Sequence, residues 1–157
     1  MSWHTLTGEP ITHNIAEHVE QTVLNEILHG NDIRVCVGTD SQVKGHLIEY
    51  ATAIVFVRKQ NGGFMFIQTE QQRNTITLKE RMLNEVYKSI GVAYDIYPSL
   101  QKYHLLPEVH ADINTNPRHK SYSALAEAMG YIQSMGFIFK AKPEAFASSC
   151  CANKAVH

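Results

Sequence analysis

The chain reads as a mixed α/β domain. A five-stranded sheet is built from a three-strand antiparallel meander plus two strands reached by helical crossovers, flanked by helices and preceded by an extra N-terminal helix. Three observations predict this. Strand-like runs at Ile33 to Thr39, Ile48 to Arg58 and Phe64 to Thr69 follow one another with no helical segment between them. After Thr77 the apolar positions change to a helical period. From there helical and extended stretches alternate to the end, the pattern of strands joined by crossovers.

In order, residues 13 to 28 place Ile15, Val19, Val23, Ile27 and Leu28 at helical spacing, and Gly30 stops the pattern. Residues 1–30 are thus expected as a helical extension on one domain spanning 1–157. The first strand is apolar and β-branched, as in a buried strand. Asn61-Gly62-Gly63 is a turn signal joining the second and third strands as a hairpin. Thr77-Leu78-Lys79-Glu80 is a capping box, and Leu78, Met82, Val86, Ile90, Ala93 and Tyr97 continue from it as a helix. Leu105 to Ile113 is a fourth strand, with Val109, Ala111 and Ile113 alternating against His110, Asp112 and Asn114. A second crossover helix runs from about Pro117 to Met135, with Tyr122, Leu125, Ala126, Met129 and Ile132 on one face, and Gly136 closes it. Phe137 to Ala141 is the fifth strand, and a short helix follows Pro143.

Composition narrows the function classes. The chain is 44% apolar and 18% charged, as globular domains are, and its formal charge is −1. That charge gives no global pull toward nucleic acid or anionic membrane, which weighs against a tight sequence-blind binder but not against an enzyme that meets nucleic acid briefly. No apolar run reaches transmembrane length, and the N-terminus shows no basic segment followed by an apolar one. Three cysteines, with Cys150 and Cys151 adjacent, make no disulfide framework. The cytoplasm is the expected compartment, and the adjacent pair is expected as buried filler. The histidines lack Cys-x-x-Cys or His-Glu-x-x-His company, so a structural zinc site is not expected.

The chemistry is expected at carboxylates. Asp40 follows a buried apolar run in Gly38-Thr39-Asp40-Ser41-Gln42. An ionised acid there needs a turn's own N–H groups, solvent or a cation, and taken alone a turn is the commoner role. Asp112, in His110-Ala111-Asp112-Ile113-Asn114, is open to the same turn reading before Asn116-Pro117. A strand returning by a crossover lies parallel to the first, however, so both acids fall at one sheet edge, where open α/β sheets take ligands. Like charges brought together there raise each other's pKa unless a cation intervenes. The helix from Leu78 offers a third acid. Glu80 lies roughly 130° from its apolar centre and is explained by the capping box, whereas Glu85 lies roughly 90° away, on a flank that can reach the sheet edge. Glu85 is also placed to be a rim charge paired with Lys88 or Ser89. Near the end, Ser149, Asn153 and His157 fall at four-residue steps. Asn153 can offer a carbonyl oxygen to a hard cation, while a polar surface or cap is the commoner role for Ser148 and Ser149. No histidine adjoins either C-terminal cysteine, so a thiol nucleophile is not expected.

Three segments in this order, Gly38-Thr39-Asp40-Ser41-Gln42, His110-Ala111-Asp112-Ile113 and Lys142-Pro143 followed by Ala147-Ser148-Ser149, resemble the YkuK-type family of bacterial proteins predicted to be ribonuclease H-like nucleases. The resemblance covers nearly the whole chain, the leading helix included. It implies the ribonuclease H fold with an added N-terminal helix, and acids on the first strand, the first long helix, the fourth strand and the last helix. Carried over by position, these are Asp40, Glu85 and Asp112, with the fourth place at Asn153, where a full ribonuclease H site has an acid. That departure implies a weakly held second metal, a single metal, a part for His157, or lost chemistry.

The leading expectation is therefore hydrolysis of phosphodiester bonds in nucleic acid, with Asp40, Glu85 and Asp112 as catalytic metal ligands and Asn153 as a fourth. Oxygen donors favour Mg2+ or Mn2+, as one ion or as two about 3.5–4 Å apart. Ser41, Gln42, Lys142 and Ser149 are the candidate substrate contacts. Lys154, Arg118 and Lys120 are either further phosphate contacts or ordinary solvated surface. Two rivals stand beside this reading: a weak or inactive module of the same fold that binds nucleic acid or a protein, and a purely structural or oligomer-forming protein. DNA, RNA, a hybrid and a branched junction all stay open as substrates, and no membrane partner is expected.

Overall fold

Two short strands open the chain in the computed structural model, which describes residues 2–60, 62–113, 116, 118 and 122–156. They are β1 (Trp3–Thr5) and β2 (Pro10–Ile11), followed by helix α1 (Ile15–Leu28). Asn14 caps α1, its side chain accepting from the backbone N–H groups of Ala16 and Glu17. Strands β3 (Ile33–Lys44), β4 (Leu47–Arg58) and β5 (Gly63–Arg73) come next, then α2 (Leu78–Gln101), β6 (Glu108–His110), α3 (Tyr122–Ser134) and β7 (Ile138–Lys140). The chain closes in a π-helical stretch, Ala147–Ala152, that runs into α4 (Asn153–Val156).

All seven strands form one sheet in the order β2-β1-β5-β4-β3-β6-β7. The meander β3-β4-β5 is antiparallel, while β6 lies parallel to β3 and β7 parallel to β6. This is the expected mixed topology, with one correction. The first residues are a hairpin as well as a helix, and β1 pairs with β5 through Trp3↔Gln68, His4↔Ile67 and Thr5↔Phe66. The sheet therefore has seven strands, not five. Runs of three and two residues are too short for alternation to register in a sequence.

Helices α1, α2 and α3 cover one face of the sheet over a core that includes Val19, Val23, Val35, Val37, Ile54, Phe56, Ile90, Ile96, Val109 and Ile132. The other face carries a smaller apolar cluster of Cys36, Ala53, Val55 and Ile67, closed by Ala147 and Ala152 of the C-terminal segment. Side chains alternate along a strand, so in β3 the odd positions face α2 and the even positions face the C-terminal segment.

Three boundaries differ from the expected ones in ways that shape the site. β3 runs on through Asp40 to Lys44, so Asp40 lies inside a strand and not at its end. β6 is only three residues long. Before it, Leu105 N–H bonds back to Leu100 O, with His104 at φ 58, closing α2. After it, Ile113 N–H bonds to Ala111 O across Asp112, a three-residue turn that takes Asp112 out of the ladder. The last helix is π-wound over Ala147–Ala152, so the four-residue spacing expected of Ser149 and Asn153 does not apply there. The expected start of α3 at Pro117 lies outside the described residues. Among the described residues no helix is long and apolar enough to cross a membrane.

Candidate functional site

The site begins where β3 outlasts its parallel neighbour. β3 pairs with β6 only over Cys36, Val37 and Gly38, but with β4 all the way to Lys44. Asp40 comes just after that parallel pairing stops, and it is only 8% exposed. Its Oδ1 accepts from Ser41 N–H at 2.9 Å and its Oδ2 from Asn153 Nδ2 at 2.7 Å. The strand-end turn considered for Asp40 is absent, because its backbone is in register with Ala51 of β4.

Gly38 explains how Asn153 reaches Asp40. A Cβ on Gly38 would stand 2.3 Å from Ser148 N and 2.4 Å from the Ala147 carbonyl carbon. The C-terminal segment therefore crosses β3 backbone against backbone, which only glycine permits. A second clamp holds the same crossing. Ala147 N–H donates to His110 Nδ1 at 3.1 Å. With Nδ1 accepting, the ring proton sits on Nε2, which faces Glu108 Oε1 at 3.3 Å. Glu108 is gripped on both oxygens by Arg34, at 2.7 and 2.6 Å. Burial alone would raise the Glu108 carboxyl, but Arg34 and His110 hold it down at about 2.

Cys36, Glu108 and His110 bring their ligand atoms within 4.8 Å of one another, and among the described residues they are the group that does so. Their chemistry argues for a clamp rather than a metal centre. Glu108 is occupied by Arg34, both His110 nitrogens have partners, and burial with the charge of Glu108 pushes the Cys36 thiol up to about 12. Sequence reasoning missed this cluster. Its signal was the sheet register, Cys36↔Glu108 and Gly38↔His110, which two separate strand assignments do not supply.

The second acid comes from α2. Glu85 is buried and accepts from the Ser41 hydroxyl. Burial, with the charges of Asp40 and Asp112, pushes its carboxyl up to about 8, against the opposing pull of the Ser41 hydrogen bond and Arg81. The rim-charge alternative for Glu85 fails. Lys88 instead pairs with Glu70 and lies over the Tyr50 ring, and the Ser89 hydroxyl meets Thr39 at 2.7 Å. Glu80 is exposed and belongs to the cap, accepting at Oε1 from Thr77 Oγ1 at 3.1 Å, while Thr77 accepts from Glu80 N–H.

The third acid, Asp112, sits in its turn beyond β6. Lys142 Nζ is 3.1 Å from Asp112 Oδ1, but outside hydrogen-bond angles, so this buried oxygen makes no hydrogen bond. Asp40, Glu85 and Asp112 are close enough for the charges of two to act on the third, yet they do not close to the 4.8 Å spacing of the clamp. Their donor chemistry is of the kind a hard divalent cation takes. The donors are carboxylate oxygens, one of them is buried without a hydrogen bond, and Glu85 carries a repulsion that a cation would remove.

Several expected substrate contacts are already engaged. The Ser41 hydroxyl serves Glu85, Lys142 serves Asp112, and the Ser149 hydroxyl donates to Ala145 O at 2.8 Å within its own segment. Gln42 is half-buried, opposite Glu49. Asn153 turns its amide nitrogen, not its carbonyl oxygen, toward Asp40. Lys154 and Arg118 are exposed, and Lys120 and His157 lie outside the described residues. The C-terminal cysteines are not buried filler: Cys150 is exposed and Cys151 half-buried, because the segment covers the sheet with Ala147, Ser148 and Ala152 instead.

Glu85 gives a pH dependence that can be measured without metal. Its folded pKa of about 8 lies above the unfolded value, which is about 4.3. Stability is fully present below the unfolded value and falls as pH climbs toward 8, because only the unfolded chain ionises freely in that window. In melts with EDTA, wild type is expected to lose stability from pH 5 to pH 8 relative to Glu85→Gln, and the variant to be the more stable at pH 8. Parallel curves for the two proteins would refute this.

A protein-family model described as Ribonuclease H-like matches residues 14–157. The match begins at the cap of α1 and leaves the β1-β2 hairpin outside. No curated protein matches the chain.

Proposed function

The chain belongs to the ribonuclease H-like family, in its YkuK branch, and on that premise we propose that it is a metal-dependent nuclease hydrolysing phosphodiester bonds in nucleic acid. The observation that carries this reading is the buried Glu85, whose carboxyl is raised by burial and by the charges of Asp40 and Asp112 arriving from two other elements. Two buried acids with a third, half-buried one beside them repel one another, an unfavourable arrangement unless a cation is part of the working state.

Asp40, Glu85 and Asp112 would hold Mg2+ or Mn2+. Such an ion, when bound, makes water a better nucleophile at neutral pH and offsets charge on the phosphate. The chain's own contribution is placement. Ser41 aims Glu85, Asn153 and the Ser41 backbone N–H aim Asp40, and Lys142 partly offsets Asp112. Gly38 and the His110 clamp hold the segment that carries Asn153.

Mn2+ at about a hundred times its dissociation constant is expected to add about 2.7 kcal/mol, a rise of roughly 5–10 °C in melting temperature for a chain of this size. The same ion should support cleavage of labelled DNA, RNA or hybrid, and EDTA should remove both effects. Absence of both the melting shift and cleavage of all three would sink the proposal.

One observation favours a second reading, a nucleic-acid-binding module without turnover. Asn153 occupies the fourth place with an uncharged amide that donates to Asp40. Under that reading the protein binds the probes in Mn2+ without cutting them, and Asn153→Asp is the substitution that supplies the missing charge.

A further inference from the structure

Arg81 is the cation the carboxylate site does not use. It lies on α2 one turn before Glu85, so both are on one side of the helix. It is half-buried, and its Nε is fully buried with no hydrogen-bond partner. Among the described residues the Arg81 side chain makes neither a hydrogen bond nor an ion pair. The other half-buried lysines and arginines do: Arg58 with Glu26, Lys88 with Glu70, Lys140 with Glu144. Its charge nonetheless reaches Glu85 and the Tyr50 hydroxyl, which places the guanidinium beside the acids. Those neighbours have other partners, since Glu85 accepts from Ser41, and Tyr50 accepts from Asn84 Nδ2 at 3.4 Å.

A guanidinium cannot lose its proton to relieve this, and it has donors only, in a planar fork that matches an oxyanion. The buried Nε is out of a ligand's reach, but the two terminal nitrogens, which likewise have no partner on the chain, are open to an acceptor from outside it. The chemistry of the neighbouring site names it. A strand approaching three acids, partly offset by Lys142, meets local repulsion that a cation at the rim would offset.

We propose that Arg81 binds a backbone phosphate of the nucleic-acid strand entering the carboxylate site, as a substrate-positioning residue. This rests on the nuclease reading and adds to it a specific phosphate contact on α2. It follows that affinity depends on Arg81 without regard to base sequence, and that the contact contributes counterion release.

The test is fluorescence anisotropy with a labelled 20-nucleotide single-stranded DNA and its duplex, with Ca2+ replacing Mg2+, over 50–200 mM KCl. Arg81→Met is expected to weaken binding about tenfold or more and to lower the slope of log K against log salt by about 0.7 for the single strand or about 0.9 for the duplex. Arg81→Lys should keep the slope, and both variants should keep the Mn2+-linked rise in melting temperature. Wild-type binding with an unchanged slope and affinity in Arg81→Met would overturn the inference and leave the nuclease reading standing. Loss of the Mn2+ shift with the slope unchanged would also overturn it, by showing that Arg81 acts through Glu85. If Arg81→Met fails to fold, a slope in Arg81→Lys that has fallen as far as predicted for the Met variant overturns it. Absence of wild-type binding to either probe would overturn the nuclease reading, and this inference with it.

Discussion

Asp40→Asn is expected to lower Mn2+-dependent cleavage by at least about a thousandfold while the metal-free protein melts at an unchanged or higher temperature. The two shapes are nearly identical. The Ser41 N–H can still donate to an Asn oxygen, and Asn153 can rotate its amide to accept where it now donates. What disappears is one buried negative charge, and with it part of the repulsion that raises Glu85. Structural and chemical roles therefore separate in sign. A turn-forming or purely structural Asp40 would lose stability on substitution and leave any cleavage in place. A metal-holding Asp40 loses cleavage and keeps or gains stability. Melting curves in EDTA beside cleavage rates in Mn2+ decide between them, and cleavage at the wild-type rate would end the case for this site.

Parts of this arrangement were legible in the sequence for physical reasons. Helix geometry separates Glu85 from Glu80, because an acid about 90° from the apolar centre can be drawn in while one at about 130° stays in solvent. The crossover rule places β6 parallel to β3, which brings Asp112 to the edge that Asp40 occupies. What escaped were facts about pairs of residues far apart in the chain. By its apolar run alone Asp40 ends a strand, but the ladder with β4 continues on hydrogen bonds that any residue can make. Ser41, Lys142 and Ser149 carry suitable donors for a substrate, and only the folded contacts show that each already has a partner. Asn153 could be placed by position, but not which end of its amide faces Asp40. The unpartnered Arg81 carried no signal at all, since a lone arginine on a helix looks like solvated surface.

Gly38 belongs to the same class, and Gly38→Ala is expected to cost about 3 kcal/mol, roughly 6–12 °C in melting temperature. Its φ is not in the left-handed region, so backbone freedom is not at stake. At such positions Gly→Ala is stabilising, by about 0.4–1 kcal/mol. The contact reverses the sign. The new methyl would stand 2.3 Å from Ser148 N and 2.4 Å from the Ala147 carbonyl carbon, and neither is the end of a side chain that can swing away. The C-terminal segment must lift as a body. That stretches the Ala147 N–H bond to His110 and withdraws Asn153 from Asp40, so cleavage should fall although every carboxylate remains. Gly91→Ala is the control. Gly91 lies within α2 and a Cβ there meets nothing within 4 Å, so alanine should stabilise by up to about 1 kcal/mol. Opposite shifts in melting temperature for the two substitutions would identify the crossing of the C-terminal segment over β3 as the reason for glycine in the Gly-Thr-Asp-Ser-Gln motif. A Gly38→Ala protein as stable and as active as wild type would show that this crossing does not hold the site together.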